Sequence, residues 1–300
     1  MSPRFSRLGV LLLGILAVST ASIFIRYAQP GAPSLTIAAG RLTLAALVLA
    51  PVALARHRPA LARLTARQLG LALLAGAFLA AHFALWIASL ERTTVASSVV
   101  LVTTTPLWVG LLAPVVLREP LTRRVASGIL LALAGGVLVG LGDAGPIGAA
   151  PRAGALLGDF LALAGAWMMA GNLMVGRRLR ADLGLVPYVT LVYGAAAVIL
   201  LAAMAITGRS FLCLSPMTCL WIALLALVPQ LLGHTSFNWA LRYLPASLVA
   251  VALLGEPVGS SALAWVLLRE VPGPVTLLGA LVILAGIAVV AWASPAPAVD

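Results

Sequence analysis

The chain contains no lysine: all 19 of its Lys+Arg residues are arginine. Charge of either sign is scarce, at 9% of 300 residues, where a soluble domain carries about a quarter. Two cysteines, Cys213 and Cys219, are too few for a disulfide framework. The three histidines are scattered, with His82 and His234 in separate apolar segments and His57 among loop arginines, so no metal-binding set is expected. Several chemistries have no sequence support. There is no H-E-x-x-H, no pair of intramembrane aspartates, no Ser/His pair at helical spacing, and no G-x-x-x-x-G-K-[ST] loop. ATP is therefore not used directly by this chain, and no cofactor is expected.

Apolar residues dominate instead, at 62% of the sequence with a mean hydropathy of +1.12. This much apolar surface exceeds what a water-soluble core can hold, and the surplus must face a lipid bilayer. The net charge of +11 does not indicate a nucleic-acid partner, because the arginines sit in short connections between apolar spans, where they set orientation. An all-arginine basic set fits either a GC-rich genome or a preference for delocalised, snorkelling cations.

With about 20 apolar residues per spanning helix, ten spans are predicted, near 8–26, 34–55, 69–90, 95–117, 125–142, 154–176, 186–207, 219–241, 246–268 and 275–293. The first follows Arg4 and Arg7 as a signal peptide would, but its length and its register with the 154–176 span predict a retained helix. The two halves repeat at an offset of 151 residues. Pro106 pairs with Pro257, Arg118-Glu119 with Arg269-Glu270, Gly128 with Gly279, Gly135 with Gly286, Leu90 with Leu241 and Arg26 with Arg177. Five spans per copy is an odd number, so the copies must lie upside down to one another. The expected architecture is an all-α polytopic membrane protein of two inverted five-helix repeats, 1–149 and 150–300. Inverted repeats interrupted by proline at matching positions point to a transporter whose site lies at the repeat interface.

Orientation follows from arginine. With the N-terminus inside, the inner segments hold Arg4, Arg7, Arg56, Arg58, Arg63, Arg67, Arg118, Arg123, Arg124, Arg177, Arg178, Arg180 and Arg242. The outer connections hold Arg26, Arg92, Arg152, Arg209 and Arg269. Thirteen against five places both termini in the cytoplasm of a multi-pass protein of the cell (inner) membrane. Cys213 and Cys219 then face outward, and whether they pair is left open. Gly136-xxx-Gly140 and Gly154-xxx-Gly158 offer surfaces for close helix approach.

Arg269-Glu270-Val271-Pro272-Gly273-Pro274, running through Gly279 to Gly286-Ile287, resembles the end of an EamA repeat. So does Arg118-Glu119-Pro120-Leu121-Thr122 through Gly128 and Gly135-Gly136. Gly40-Arg41 and Gly158-Asp159 are similar to that family as well. The sequence thus resembles the EamA branch of the drug/metabolite transporter superfamily over essentially its whole length. The resemblance implies ten helices in an inverted five-plus-five basket, a central cavity and movement of a small solute, most often export. Amino acids, nucleosides, other metabolites and drugs all fall within what it implies.

Polar residues inside the spans are the candidate site. Glu256 is the eleventh of 23 residues in the ninth span, so it sits ~15 Å deep, near the midplane. An acid there costs roughly 2.5–3.5 kcal/mol unless compensated. Gly255 and Pro257 flank it, predicting a kinked or unwound segment. Its repeat partner is Thr105, beside Pro106, and these four flanking residues are the candidate helix breaks. Glu256 is the candidate proton site, or the partner of a cationic solute group; the bland alternatives are an ion pair with Arg41 or a protonated acid hydrogen-bonded to open backbone. Arg41 itself is a candidate for a solute carboxylate or a tie between helices. His82 and Trp86 lie one turn apart on one face and are candidates for stacking and hydrogen bonding a solute. Trp167, Asn172 and Asn238 complete the candidate substrate-binding set, with helix packing as the alternative for each. Asp159 is expected in a first helical turn, complementing the helix dipole, and Glu119 and Glu270 are expected in capping or turn roles.

The reading is a secondary transporter for a small organic solute, working by alternating access, its partners being that solute and the bilayer. An intramembrane enzyme acting on a lipid and an uncoupled channel-like protein are the alternatives. Monomer and homodimer both remain open.

Overall fold

The computed structural model describes residues 3–93, 98, 101–143, 154–212, 214–268 and 273–293. Among these residues the structure is helical and contains no strand. In a bilayer this follows from hydrogen bonding: without water, the backbone must satisfy its own donors and acceptors, and an α-helix does so within one segment.

The first repeat comprises α1 (Pro3–Val18), α2 (Ala21–Ala28), α3 (Ser34–Arg56), the short α4 (Arg58–Ala62), α5 (Ala66–Ser89), α6 (Thr105–Val116) and α7 (Arg123–Asp143). The second holds α8 (Ala155–Asp182), α9 (Leu185–Ile206) and α10 (Pro216–Leu225). A π-helical segment π1 (Ala226–His234) follows, then α11 (Thr235–Ala240), α12 (Ala246–Leu253), α13 (Gly255–Leu268) and α14 (Pro274–Ala293). Seven helices among the described residues are long and apolar enough to cross a membrane, counting α1 with α2 and α10 through α11 as one each. The α6 and α12–α13 segments are shorter because they are broken near the prolines.

The glycines of the fifth and tenth predicted spans explain how the halves meet. A methyl group added at Gly135 would lie 2.7 Å from the Gly279 carbonyl oxygen, and one at Gly286 would lie 2.7 Å from that of Gly128. Only glycine allows backbones this close. Residue numbers rise along α7 as they fall along α14, so the two helices are antiparallel. The offset of 151 converts the pair Gly128/Gly286 into Gly279/Gly135, so the contact maps onto itself when the repeats are exchanged. The other glycine pairs behave differently. Gly158 does pack closely, a methyl there falling 2.8 Å from the Thr93 backbone nitrogen, but Gly154 meets nothing within 4 Å and instead takes φ +85° at the start of α8. Gly136 has only the Thr103 hydroxyl within reach of an added methyl, at 3.7 Å.

One pair of equivalent helices differs. Thr65 caps α5, its side chain accepting from the Gln68 N–H, while Ser215 caps α10, accepting from the Thr218 N–H. These caps lie 150 residues apart, whereas Leu90 and Leu241 downstream lie 151 apart. Accordingly α5 has 24 residues and its counterpart Pro216–Ala240 has 25. The wider π turn absorbs the extra residue, and Pro229 within it lacks the N–H that a tighter helix would use.

Asp159 departs from expectation. It lies beyond the first turn of α8, and its Oδ1 accepts a 2.6 Å hydrogen bond from the Thr93 hydroxyl. It therefore ties α8 to the end of the first repeat's third span. Cys219 is a free, exposed thiol on α10, and Cys213 lies outside the described residues.

Candidate functional site

Both repeats break at matching places. In the first, Thr103-Thr104 form a turn and α6 begins at Thr105 with Pro106 in its first turn. In the second, α12 ends at Leu253, Leu254 is a turn, and α13 begins at Gly255. Proline at the first turn of a helix forfeits no hydrogen bond, since the N–H there has no intrahelical acceptor. It does forbid the previous helix from running on. Glu256 thereby stands in the first turn of α13, where the positive end of the helix dipole faces its carboxyl group. The break lies against another one. The Ser19 hydroxyl, between α1 and α2, donates to the Glu256 carbonyl at 3.3 Å, and Ser260 donates to the Ser19 carbonyl at 2.9 Å.

The two breaks meet at a cavity of about 40 Å3. Thr103, Thr105 and Pro106 line it from one repeat, and Leu253, Leu254 and Glu256 from the other. His82 and Trp86 of α5, Met169 of α8 and His234 of π1 complete much of the wall. A volume of this size accommodates water and not an organic solute, for which sites of roughly 300–1,000 Å3 are usual. Admitting a solute requires the surrounding helices to part.

His82, Trp86, Thr105, Pro106 and Glu256 are thus brought together. The His82 Nδ1 is 2.9 Å from the Gly165 carbonyl oxygen, which can only accept, so this nitrogen carries the hydrogen and Nε2 is the remaining polar edge. The His82 and Trp86 rings stack with centroids 5.9 Å apart. The Trp86 indole N–H is buried with no acceptor among the described residues.

The remaining candidates sit elsewhere. Trp167 is 37% exposed, packs edge-on against Trp108 and Phe160, and lies outside the cavity wall. Asn172 donates to the Ala75 carbonyl at 2.9 Å and Asn238 to the Tyr193 hydroxyl at 3.2 Å, so both are buried ties between helices. Gly255 and Pro257 shape the break without lining the cavity; a methyl at Gly255 would lie 2.8 Å from the Ile15 side chain. Arg41 is fully buried and outside the wall as well. It forms no ion pair with Glu256: among the described residues the salt bridge is Arg177–Glu119. The Arg41 Nε instead donates to Gln230 Oε1 at 2.8 Å, and the guanidinium carbon lies 4.0 Å above the Phe83 ring centroid.

Two features escaped the sequence reading. Gln230 is one, and the one-residue difference between the cap spacings was the only trace of the π turn that carries it. The other is a clasp between repeats. Arg118 takes φ +58°, an uncommon conformation for a residue other than glycine, and turns the chain sharply after α6. Glu119 beside it binds Arg177 Nε at 2.7 Å through Oε1 and accepts the Ala246 N–H at 2.9 Å through Oε2. Arg177 also donates to the Leu241 carbonyl at 2.7 Å. Glu119 is therefore a cap, as expected, but for the first turn of α12 in the opposite repeat. Arg180, counted above as a topological charge, is buried and donates to the carbonyls of Asn238 and Leu183.

Spans of this length and composition, repeated about an antiparallel glycine contact, define a multi-pass membrane protein. The comparison with known proteins makes the class specific. Residues 7–141 and 156–292 each match the EamA-like transporter family, and the chain belongs to that family, within the drug/metabolite transporter superfamily. A solved crystal structure of a protein is similar in fold, with a TM-score of 0.77 at 22% identity, over 95% of this chain and 96% of the other. No curated protein matches.

Proposed function

We propose that this protein is a secondary transporter that exports a small organic solute by alternating access. In this reading ten segments cross the bilayer as two inverted five-helix repeats, 1–149 and 150–300, with both termini in the cytoplasm. The observation that carries it is the cavity where the two proline-marked breaks meet, one from each repeat, with Glu256, His82, Trp86 and His234 on its wall. Broken helices supply exposed backbone carbonyls and a hinge in each repeat, which is what rocking one half against the other about a midplane site requires. The cavity's small size belongs to a closed conformation, and the Glu119–Arg177 clasp holds the end of the molecule bearing the inner arginines.

The decisive experiment is solute flux in proteoliposomes of the full-length protein, screened without bias across small metabolites and set against product formation from candidate lipids. Flux of a defined solute supports the transporter, whereas turnover of a lipid without flux would establish the enzyme instead. Glu256→Gln keeps shape and removes the titrating group. If Glu256 couples protons to transport, pH-driven flux is lost while solute exchange survives. Unchanged pH-driven flux in folded variant would remove it from that role. Orientation is checked separately. In a cysteine-free protein, single cysteines placed at 27–33 should react with an impermeant maleimide from outside intact cells, and those at 57–66 should not.

A further inference from the structure

Arg41 and Gln230 are both fully buried, and their hydrogen bonding is unbalanced in one direction. The guanidinium presents five donors and no acceptor. Nε is satisfied by Gln230 Oε1, while both terminal nitrogens are buried with no acceptor among the described residues. Because the Gln230 oxygen is committed to Arg41, its amide nitrogen is left as a donor, and it too is buried without an acceptor. Every unmatched nitrogen in this cluster is a donor, and a buried unmatched donor is costly. The complement of such a set is an anion with at least two oxygens in one plane, for which a guanidinium fork is built.

The cluster reaches the cavity through one side chain. Arg41 lies on the face of the Phe83 ring, and the same ring meets the two histidines of the cavity wall edge-on, His82 at 4.8 Å and His234 at 5.3 Å between centroids. Phe83 thus stands between the guanidinium and the histidines of the cavity wall. The protein's own carboxylate nearby, Glu256, is on the cavity wall and makes no ion pair with Arg41.

We propose that the Arg41 fork, aligned by Gln230 and screened by Phe83, is the receiving site for the carboxylate of a transported organic acid or zwitterion. This rests on the transporter reading and narrows its solute to one bearing a carboxylate. Gln230 is a positioning residue here: its oxygen fixes Nε, so the terminal nitrogens project together.

Acetate is the smallest probe of the fork, with acetamide and chloride as controls at constant ionic strength, read by thermal unfolding of the purified full-length protein. Acetate should raise Tm saturably by about 2 °C or more, and acetamide and chloride should not. Gln230→Glu supplies an internal carboxylate, so it should raise Tm on its own, abolish the acetate response and reduce flux of carboxylate solutes roughly 10- to 100-fold. Arg41→Lys keeps the charge but removes the fork, and should also lose the acetate response. A purely structural Arg41–Gln230 contact predicts the reverse for Gln230→Glu: flux at least equal to the unmodified protein. An acetate response that appears only in Glu256→Gln would show that the fork is reserved for Glu256 and overturn the proposal, as would no acetate effect beyond that of chloride. The two readings fail separately. Flux of solutes regardless of carboxylate and of Arg41→Lys would sink the site and keep the transporter, whereas a saturable acetate response without flux of any solute would do the opposite.

Discussion

Helix α5 and its counterpart Pro216–Ala240 occupy equivalent positions in the two repeats, yet only the first is a continuous α-helix. The second changes pitch over Ala226–His234. That stretch carries Gln230 to Arg41 and His234 to the cavity wall. The corresponding part of α5 contributes His82, held by the Gly165 carbonyl, and Phe83, packed beneath Arg41. Elsewhere the repeats diverge in the same sense: Arg41 aligns with Val192, and Glu256 with Thr105. The lesson is a division of labour. Features that obey the offset, the glycine contact of α7 with α14 and the paired breaks, build a frame that maps onto itself when the repeats are exchanged. Features that violate it, Arg41, Gln230, His234 and Glu256, supply the polar chemistry. A site made of duplicated groups would be symmetric about the pseudo-axis. This one is polar on terms set by substitution in each half.

The strongest way to break this comparison is to make the two helices alike. Deleting Leu227, an exposed residue of π1, removes the residue that the π turn absorbs and should restore an ordinary α-helix. Gln230 then rotates away from Arg41, leaving a buried guanidinium over Phe83 with no hydrogen-bond acceptor among the described residues. Losing a buried hydrogen bond to a charged group costs about 1.5–3 kcal/mol, a large part of a marginal stability. The expected outcome is protein that fails to accumulate as a monodisperse species on size-exclusion chromatography. A well-folded deletion variant of unchanged Tm would show that the π turn is incidental.

How much of this was legible in the sequence depends on the range of each interaction. The repeat, the spans, Pro106 and Pro257 are local matters of composition and spacing, and the breaks fall where the prolines stand. Glu256 and Arg41 announce themselves because charge within an apolar segment is rare. Gln230 did not, since a single neutral amide in an apolar run carries no such signal, and its importance comes from a partner 189 residues away. Trp167 and Asn172 were misplaced for a related reason. Helical spacing groups residues on a face but does not say which face meets the cavity. The Glu119 clasp joins three segments that only folding brings together, so its capping role was readable while its recipient was not.

The clasp offers a way to sharpen the comparison at intermediate cost. Its three partners, Glu119, Arg177 and the Ala246 N–H, cross from one repeat to the other. Glu119→Ala removes an ion pair whose side chains are 20% and 27% exposed, together with a helix cap. A cap is worth about 1 kcal/mol and a partly exposed pair up to about 1 kcal/mol, so a loss of roughly 1–2 kcal/mol is expected. Glu119→Gln keeps the acceptor for Ala246 and should recover about half. The accompanying readout is conformational. If the clasp holds this end of the molecule closed, a cysteine placed at Ser247 should label faster in Glu119→Ala than in the parent. Equal labelling rates would leave the clasp with a role in stability alone.

The smallest expected effect concerns the caps whose 150-residue spacing betrays the π turn. Thr65 and Gln68 form a reciprocal capping box: the Gln68 N–H donates to the Thr65 hydroxyl at 3.2 Å, and the Thr65 N–H donates to the Gln68 side-chain oxygen at 3.0 Å. Ser215 accepts the Thr218 N–H at 3.1 Å and shares a 2.9 Å hydrogen bond with the Thr218 hydroxyl, but among the described residues nothing reciprocates to its own N–H as Gln68 does for Thr65. Pro216 follows it at the first helical position. Proline there has no N–H to satisfy and arrives with φ already helical, so the second helix depends less on its cap. Thr65→Ala should therefore cost about 1 kcal/mol and Ser215→Ala about 0.5 kcal/mol, read as the difference in Tm between the two variants in one detergent. The contrast follows from where each helix obtains its start. One relies on two side-chain hydrogen bonds in water, the other on a ring that fixes the backbone. If Ser215→Ala proved the more damaging, the start of Pro216–Ala240 would be coupled to the π turn downstream, and the two helices would differ over their whole length and not only between Ala226 and His234.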